Sequence, residues 1–322
     1  MVGRVTWRSH HGWMCHAVPV PASNERAHGY DLGADLHRAL RDPPPDVALD
    51  WVVAAVGADS VIEVRPLEGG RSSAVHLLTL QGRSGARVPV VLRRYVLDWV
   101  TEEPWAPGNE ARILRRLAKT AVPAPQLLAS DDGRATGTPA TVMSVLPGRV
   151  VWRPSDRERW LRRLAEMLPL IHAVPVTADL SAWAPYEPIP DLVPPPWSRH
   201  PRAWERALEL YAGVAPPSDR VFLHRDYHPG NVLWSGGEVS GIVDWVGGCA
   251  GPPEGDVAHC RVNLAGAAGM DAADQFLAIW QGLTGRADYH PYFDLTAVVS
   301  MVSGTADVAL DEFVASAAAK LG

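Results

Sequence analysis

Apolar positions change their period along the chain, and the changes divide it into elements. Val47 to Val56 places Leu49, Val52, Val53 and Val56 on one face of a short helix, and Gly57 suits its end. Three strand-like runs follow, Val61 to Leu67, Val75 to Leu80 and Val88 to Tyr95, separated by the turns Glu68 to Ala74 and Gln81 to Ala86. Asp98 to Gly108 reads as a Trp- and Pro-rich loop. A helix then runs from Asn109 to Ala118, with Ile113, Leu114 and Leu117 as its buried stripe. Val122-Pro-Ala-Pro125 stops it. Gln126 to Ser130 and Thr138 to Val145 read as two further strands around an Asp-Asp-Gly turn, and Leu146-Pro-Gly148 closes the strand-rich part.

Beyond this point the helical period dominates. Asp156 to Ala173 is amphipathic, with Pro169 predicting a kink or an early break. Residues 174–200 form a long Pro- and Trp-rich loop, a length more often used as a lid than left idle. Pro201 opens a helix reaching Ala212. Val221 to Trp234 reads as strand, polar loop and strand; a Ser-Gly-Gly turn leads to Gly241-Ile-Val-Asp-Trp245. Helices over 256–268, 272–283 and 293–321 complete the chain. The order predicts an α+β, bilobal molecule: a five-stranded antiparallel sheet plus helix, then a mostly helical C-terminal lobe. The expected divisions are a flexible leader over 1–45, an N-terminal lobe over 46–145 and a C-terminal lobe over 146–322.

Composition narrows the function classes. Hydrophobic residues make up 47% of 322, which suits a globular chain with a sizeable core. The net charge of −6 argues against a basic nucleic-acid-binding face. Cys15, Cys249 and Cys260 are odd in number and form no CxxC, so neither a disulfide framework nor a zinc ribbon is expected. Cys15 near His10, His11 and His16 fits no zinc spacing. The first residues show no signal-peptide core, and the longest apolar run, Leu295 to Ala309, is interrupted by Asp307. A cytoplasmic protein with no membrane partner is the resulting expectation; oligomeric state stays open.

The candidate chemistry sits in Val221–Trp245. His224, Asp226 and Asn231 share one tight loop, and Asp244 follows an apolar run. Taken singly, Asp226 is an Asx-turn residue and Asn231 a turn amide. Taken with Asp244, they supply two acids and an amide, oxygen donors suited to Mg²⁺ carrying phosphates. Gly69-Gly70-Arg-Ser72-Ser73 is a turn that can lay backbone N–H groups and two hydroxyls against phosphate, or simply close a hairpin. Arg93 and Arg94 alternate on the third strand, so one points into a cleft and the other is expected to be solvated. Glu110, in the first helical turn, reads equally well as compensation of the helix dipole.

These residues, in this order, resemble the aminoglycoside phosphotransferase and choline kinase-like family, relatives of the protein kinases, over roughly residues 50 to 310. The resemblance rests on His224-x-Asp226-x-x-x-x-Asn231 and Asp244-Trp245. It implies a protein kinase-like fold and transfer of the γ-phosphoryl group of ATP, with Mg²⁺, to a hydroxyl of a small-molecule acceptor. It implies Asp226 as base, Asn231 and Asp244 as metal ligands, and Gly69, Gly70, Ser72 and Ser73 as the phosphate loop. Arg93 then binds phosphates where many relatives have Lys, with Glu110 as its partner. Met143 becomes a gatekeeper, with Ser144 and Leu146 offering backbone groups to adenine, and Asp256 braces the catalytic loop, as does His224.

The acceptor is less legible. Glu254, Asp271, Asp274, Asp288 and Asp294 suit a polyamine such as an aminoglycoside, or a solvated helix face. Trp183, Tyr186 and Trp197 suit stacking on a ligand, or packing of the loop. An antibiotic kinase, a metabolic sugar or amino-alcohol kinase, and a catalytically silent nucleotide-binding protein all remain open at this point.

Overall fold

The computed structural model describes residues 34–67, 72–184, 193–301 and 306–321. They fall into two compact units. One runs to Val151 and takes in Gly230–Gly248; the other comprises Trp152–Pro229 and the chain from Cys249 onward.

The first unit begins with α1 (Ala34–Arg41), in a stretch where the apolar pattern is silent. Next comes α2 (Asp46–Val56), which ends where Gly57 turns left-handed at φ 73°. Then come β1 (Ala58–Pro66), β2 (Ala74–Gly82) and β3 (Arg87–Arg94), a short α3 (Trp99–Glu102), α4 (Ala106–Leu117), β4 (Leu127–Asp131), β5 (Ala140–Ser144) and β6 (Arg149–Val150). Five strands make one antiparallel sheet in the order β1-β2-β3-β5-β4. Strict alternation along β2 buries Leu78 and Leu80, which meet Val52 of α2, Val90, Leu92, Ala140 and Val142 in one core. The helix expected from Asn109 starts three residues earlier, at Ala106, with Pro107 in its first turn. Glu110 therefore lies beyond the first turn.

The second unit begins with α5 (Arg157–His172), capped by Asp156, which accepts from the backbone N–H of Arg159 (3.0 Å). The break expected at Pro169 does not occur. Proline there forfeits one bond near the helix end, while its carbonyl still accepts from Ala173 N (3.0 Å). Next are α6 (Pro201–Tyr211) and β7 (Val221–Leu223). The chain then returns to the first unit for β8 (Val232–Ser235) and β9 (Glu238–Ile242), a hairpin closed by Gly236 and Gly237, both at positive φ as a tight two-residue turn requires. β6 pairs with β8.

Back in the second unit, β10 (Cys249–Gly251) pairs with β7. It leads to α7 (Glu254–Ala268), α8 (Met270–Thr284), α9 (Tyr292–Val299) and α10 (Val308–Ala319). The single helix expected over 293–321 is two helices, because Asp307 takes an extended backbone and caps α10 through Leu310 N (2.9 Å). The 174–200 loop is pinned at two points. Ser181–Trp183 bonds to Ala250 of β10, and Asp311 of α10 accepts from Ser198 Oγ (2.6 Å) and Arg199 N (2.8 Å). Among the described residues no helix is long and apolar enough to cross a membrane.

Candidate active site

In the first unit the pairing of Val75 with Arg93 and of Arg93 with Thr141 sets Arg93 in the middle of the sheet. Its guanidinium is buried, and Nη1 lies 2.8 Å from both Glu110 Oε1 and Asp244 Oδ1. Nε donates to Ser73 Oγ (2.7 Å), and Nη2 reaches Ser72 Oγ (3.5 Å). Burial works against this charge, but Asp244 and then Glu110 outweigh it and hold the group well above its ordinary value. Glu110 is therefore an ion-pair partner rather than a dipole compensator. Its other oxygen accepts from Tyr95 Oη and from Thr141 Oγ1 (3.3 Å). Burial, then Glu110, pushes the Tyr95 phenol well above its usual range, so it remains a donor.

Arg94 departs from expectation. It is buried rather than solvated, because Asp42, just past α1, offers its carbonyl to Nη2 (3.5 Å). Burial lowers its pKa, with Asp42 opposing.

Asn231 and Asp244 sit at one end of the β8–β9 hairpin. The register Val232 with Ile242 is extended by Val243 N donating to Asn231 O (2.9 Å). Asp244 adopts φ 66°, ψ 61°, a left-handed conformation that Asp tolerates better than most residues. The turn after it holds this geometry. Trp245 is fully buried and donates to Ile242 O (2.8 Å), and Asn109 Nδ2 donates to Val246 O (2.7 Å) and Gly248 O (3.1 Å). Met143 on β5 is buried, and Ser144 exchanges two bonds with Gln126, N to O and Oγ from N, each 2.9 Å. Leu146 packs against Gly241, where a Cβ would lie 3.2 Å from Leu146 Cβ. Gly69 and Gly70 lie outside the described residues.

In the second unit Asp226 is buried on the loop after β7. His224 Nδ1 accepts from Asp226 N (3.2 Å), closing the turn. Asp256 in α7 accepts from His224 N (3.0 Å) and Arg225 N (2.6 Å), and lies 3.1 Å from His172 Nε2. This bracing supports Arg225 at φ 73°. Tyr227 Oη donates to Leu164 O (2.7 Å), tying the loop to α5.

The Asp226 carboxylate has two imidazole neighbours. His259 Nε2, from α7, lies 2.8 Å from Oδ1, and His228 Nε2 lies 3.8 Å from it. His228 stacks on Trp152 with ring centroids 6.0 Å apart.

Thus Arg93, Glu110, Asp244, Ser72 and Ser73 meet in one unit, which also carries Asn231, while Asp226, His224 and Asp256 meet in the other. Sequence reasoning did not single out Tyr95, Thr141, His172 or His259. Two signals were available: Tyr95 and Thr141 each lie two positions from a nominated residue, Arg93 and Met143, a spacing that shares a face in a strand, and His259 lies three residues after Asp256 on a helix. The nominated acids also changed meaning. Glu254 and Asp294 are buried and engaged internally, Glu254 with Ser218 Oγ (2.6 Å) and Asp294 with Arg261 Nε (3.0 Å) and Tyr289 Oη (2.6 Å). Trp197 packs on Trp204, centroids 6.0 Å apart; Tyr186 lies outside the described residues.

A five-stranded antiparallel sheet whose central strand carries a basic residue paired to a helical acid, followed by helices, is the arrangement of the protein kinase-like fold. Residues 63–292 match the phosphotransferase enzyme family, and the chain belongs to it. It is 33% identical over 142 residues to a homoserine kinase of Methylobacterium nodulans, a match spanning 40% of this chain and 42% of that protein. Among solved structures it resembles the macrolide 2'-phosphotransferase MphH of Brachybacterium faecium, with TM-score 0.52 at 19% identity, over 80% of this chain and 87% of that one. It also resembles a thermostable mutant of aminoglycoside phosphotransferase APH(4)-Ia in ternary complex with ADP and hygromycin B. There the TM-score is 0.57 at 15% identity, over 84% and 97% of the two chains. At these identities the structural likeness speaks for the fold.

Proposed function

We propose that the chain transfers the γ-phosphoryl group of ATP to a hydroxyl of a small molecule. The observation that carries this reading is Arg93, buried and held 2.8 Å from both Glu110 and Asp244. A permanent cation kept in place by two carboxylates is a preorganised clamp for nucleotide phosphates. That an aminoglycoside phosphotransferase of like fold was solved with ADP supports a nucleotide donor.

Asn231 and Asp244 are the residues that would hold Mg²⁺. Their donors are one amide oxygen just before β8 and one carboxylate just after β9, hard ligands of the kind Mg²⁺ accepts when phosphates complete its shell. No group of three His, Cys, Asp or Glu side chains suited to a metal occurs among the described residues, so an all-protein cage is not the expectation. Bound there, the ion supplies neutralisation of charge on the phosphate oxygens.

In the proposed step the acceptor oxygen forms a bond to the γ-phosphorus and the bond from phosphorus to the departing ADP oxygen breaks. The hydroxyl proton passes to Asp226. His259 orients that carboxylate as a positioning residue. The relative named homoserine kinase favours a metabolic acceptor over an antibiotic one. An acceptor panel read by ATP consumption tests the reaction; ATP binding with no acceptor phosphorylated would favour a silent nucleotide-binding protein.

A further inference from the structure

The face of the sheet turned away from Arg93 carries two buried groups that the proposed chemistry does not use. Along β2 the residues Ala74, His76, Leu78 and Leu80 are buried on this face, and the register sets Ala74 opposite Arg94 and His76 opposite Leu92. His76 and Arg94 are therefore diagonal neighbours. His76 is completely buried, and neither of its ring nitrogens completes a hydrogen bond among the described residues. Arg94 Nε is buried and unbonded as well. Unpaired buried polar groups cost free energy, so a fold that keeps two of them side by side calls for a reason.

A short piece of chain covers them. α1 packs on β2, with Leu40 buried, and a helix of eight residues needs such packing to persist. Pro43, Pro44 and Pro45 join it to α2 and offer no N–H to hold the connection down. The charged or polar groups that face His76 are Arg94 from β3 and the carbonyls of Arg41 and Asp42 at the end of α1. Asp42 O also accepts from Arg94 Nη2 (3.5 Å), and the Asp42 carboxylate acts on Arg94 from an exposed position. Burial holds the imidazole below its ordinary value, with Arg94 adding to this and the two carbonyls opposing. A proton on His76 would be a second buried cation beside Arg94, and lifting α1 would give both of them water. Linkage therefore runs one way. The docked α1 is favoured fully above about pH 6.5, the ordinary imidazole value, and less as pH falls below it toward the folded value.

We infer that α1 is a latch on the back of the sheet, released by acid through His76, and that its closure steadies the strand ends behind the phosphate clamp. Val75, next to His76, pairs with Arg93, Arg93 precedes Arg94, and Ser72 and Ser73 lead directly into β2. The link to the clamp rests on the phosphotransferase reading above; the latch itself does not.

Hydrogen exchange on the full chain, expressed as protection factors so that the pH dependence of intrinsic exchange cancels, reads the latch over residues 38–42, with α8 as the control. Between about pH 7.5 and pH 5.5 the wild type is expected to lose about tenfold in protection at the latch, the effect of one proton bound only in the open form, while α8 keeps its own. H76L, which fills the space with an apolar group, and H76Q, which keeps a polar group that does not titrate, both lose this pH dependence. Protection unchanged by pH in the wild type, the same loss in both variants, or an equal loss in α8 overturns the latch. Saturating Mg-ATP at about pH 7.5 is expected to raise protection at 38–42, because coupling between two sites is reciprocal. Bound nucleotide that leaves this protection unchanged overturns the link to the clamp. The two levels separate. Acid release that needs His76, in a chain that binds no Mg-ATP by calorimetry, supports the latch and removes the kinase reading. Mg-ATP binding and turnover with no acid release leaves the kinase reading standing and removes the latch.

Discussion

Arg93 shows why an arginine serves at a position where lysine is the familiar choice. Its Nη1 spans two carboxylates while Nε separately engages Ser73, a division that a single ammonium cannot reproduce. R93K is therefore expected to fold and to raise KM for ATP roughly tenfold, a loss of about 1.4 kcal/mol, in steady-state kinetics. R93A leaves two carboxylates uncompensated and is expected to lower stability by about 3–5 kcal/mol in urea denaturation. His259 belongs to the same scale. If it orients Asp226, H259Q lowers kcat by about tenfold or more with KM for ATP unchanged. A change in KM for ATP with kcat intact would remove that role.

At the scale of elements, the strands and the β8–β9 hairpin were legible because their signals are local. Gly236-Gly237 requires a tight turn, and alternation along β2 sets which residues face the core. Where punctuation was weighed wrongly, the period misled. Asp307, read only as an interruption of an apolar run, caps α10, and Pro169 lay too near the end of α5 to break it. Arg94 was misread for a different reason. Its burial depends on what packs over it, the Asp42 carbonyl just past α1, and no local pattern reports that.

The 174–200 loop makes a prediction at this scale. Asp311 is buried, which raises its carboxyl. The bonds it accepts from Ser198, Arg199 N and Trp204 outweigh burial and hold it below the ordinary value. Because the unfolded chain then binds more protons, this contribution is full above about pH 4 and fades as pH falls through the folded value. D311N is expected to melt lower than wild type at pH 7, with the difference shrinking at about pH 3. A difference constant across that range would show that the carboxylate charge is not what anchors the loop.

For the whole molecule, the groups proposed for the donor sit in the unit built on the sheet, and the proposed base sits in the helical unit. Nucleotide binding and turnover should therefore separate under mutation. At a hundredfold excess over Kd, Mg-ATP is expected to stabilise the wild type by about 2.7 kcal/mol. D244N should lose most of that, because Asp244 is the carboxylate proposed to meet the ion. The most direct measurement is phosphoryl transfer from ATP to an accepted acceptor by wild type and D226N, with nucleotide affinity determined by calorimetry on the same preparations. The expected result is turnover abolished in D226N with nucleotide affinity unchanged. Turnover retained at the wild-type rate would contradict the assignment of Asp226 and the mechanism built on it.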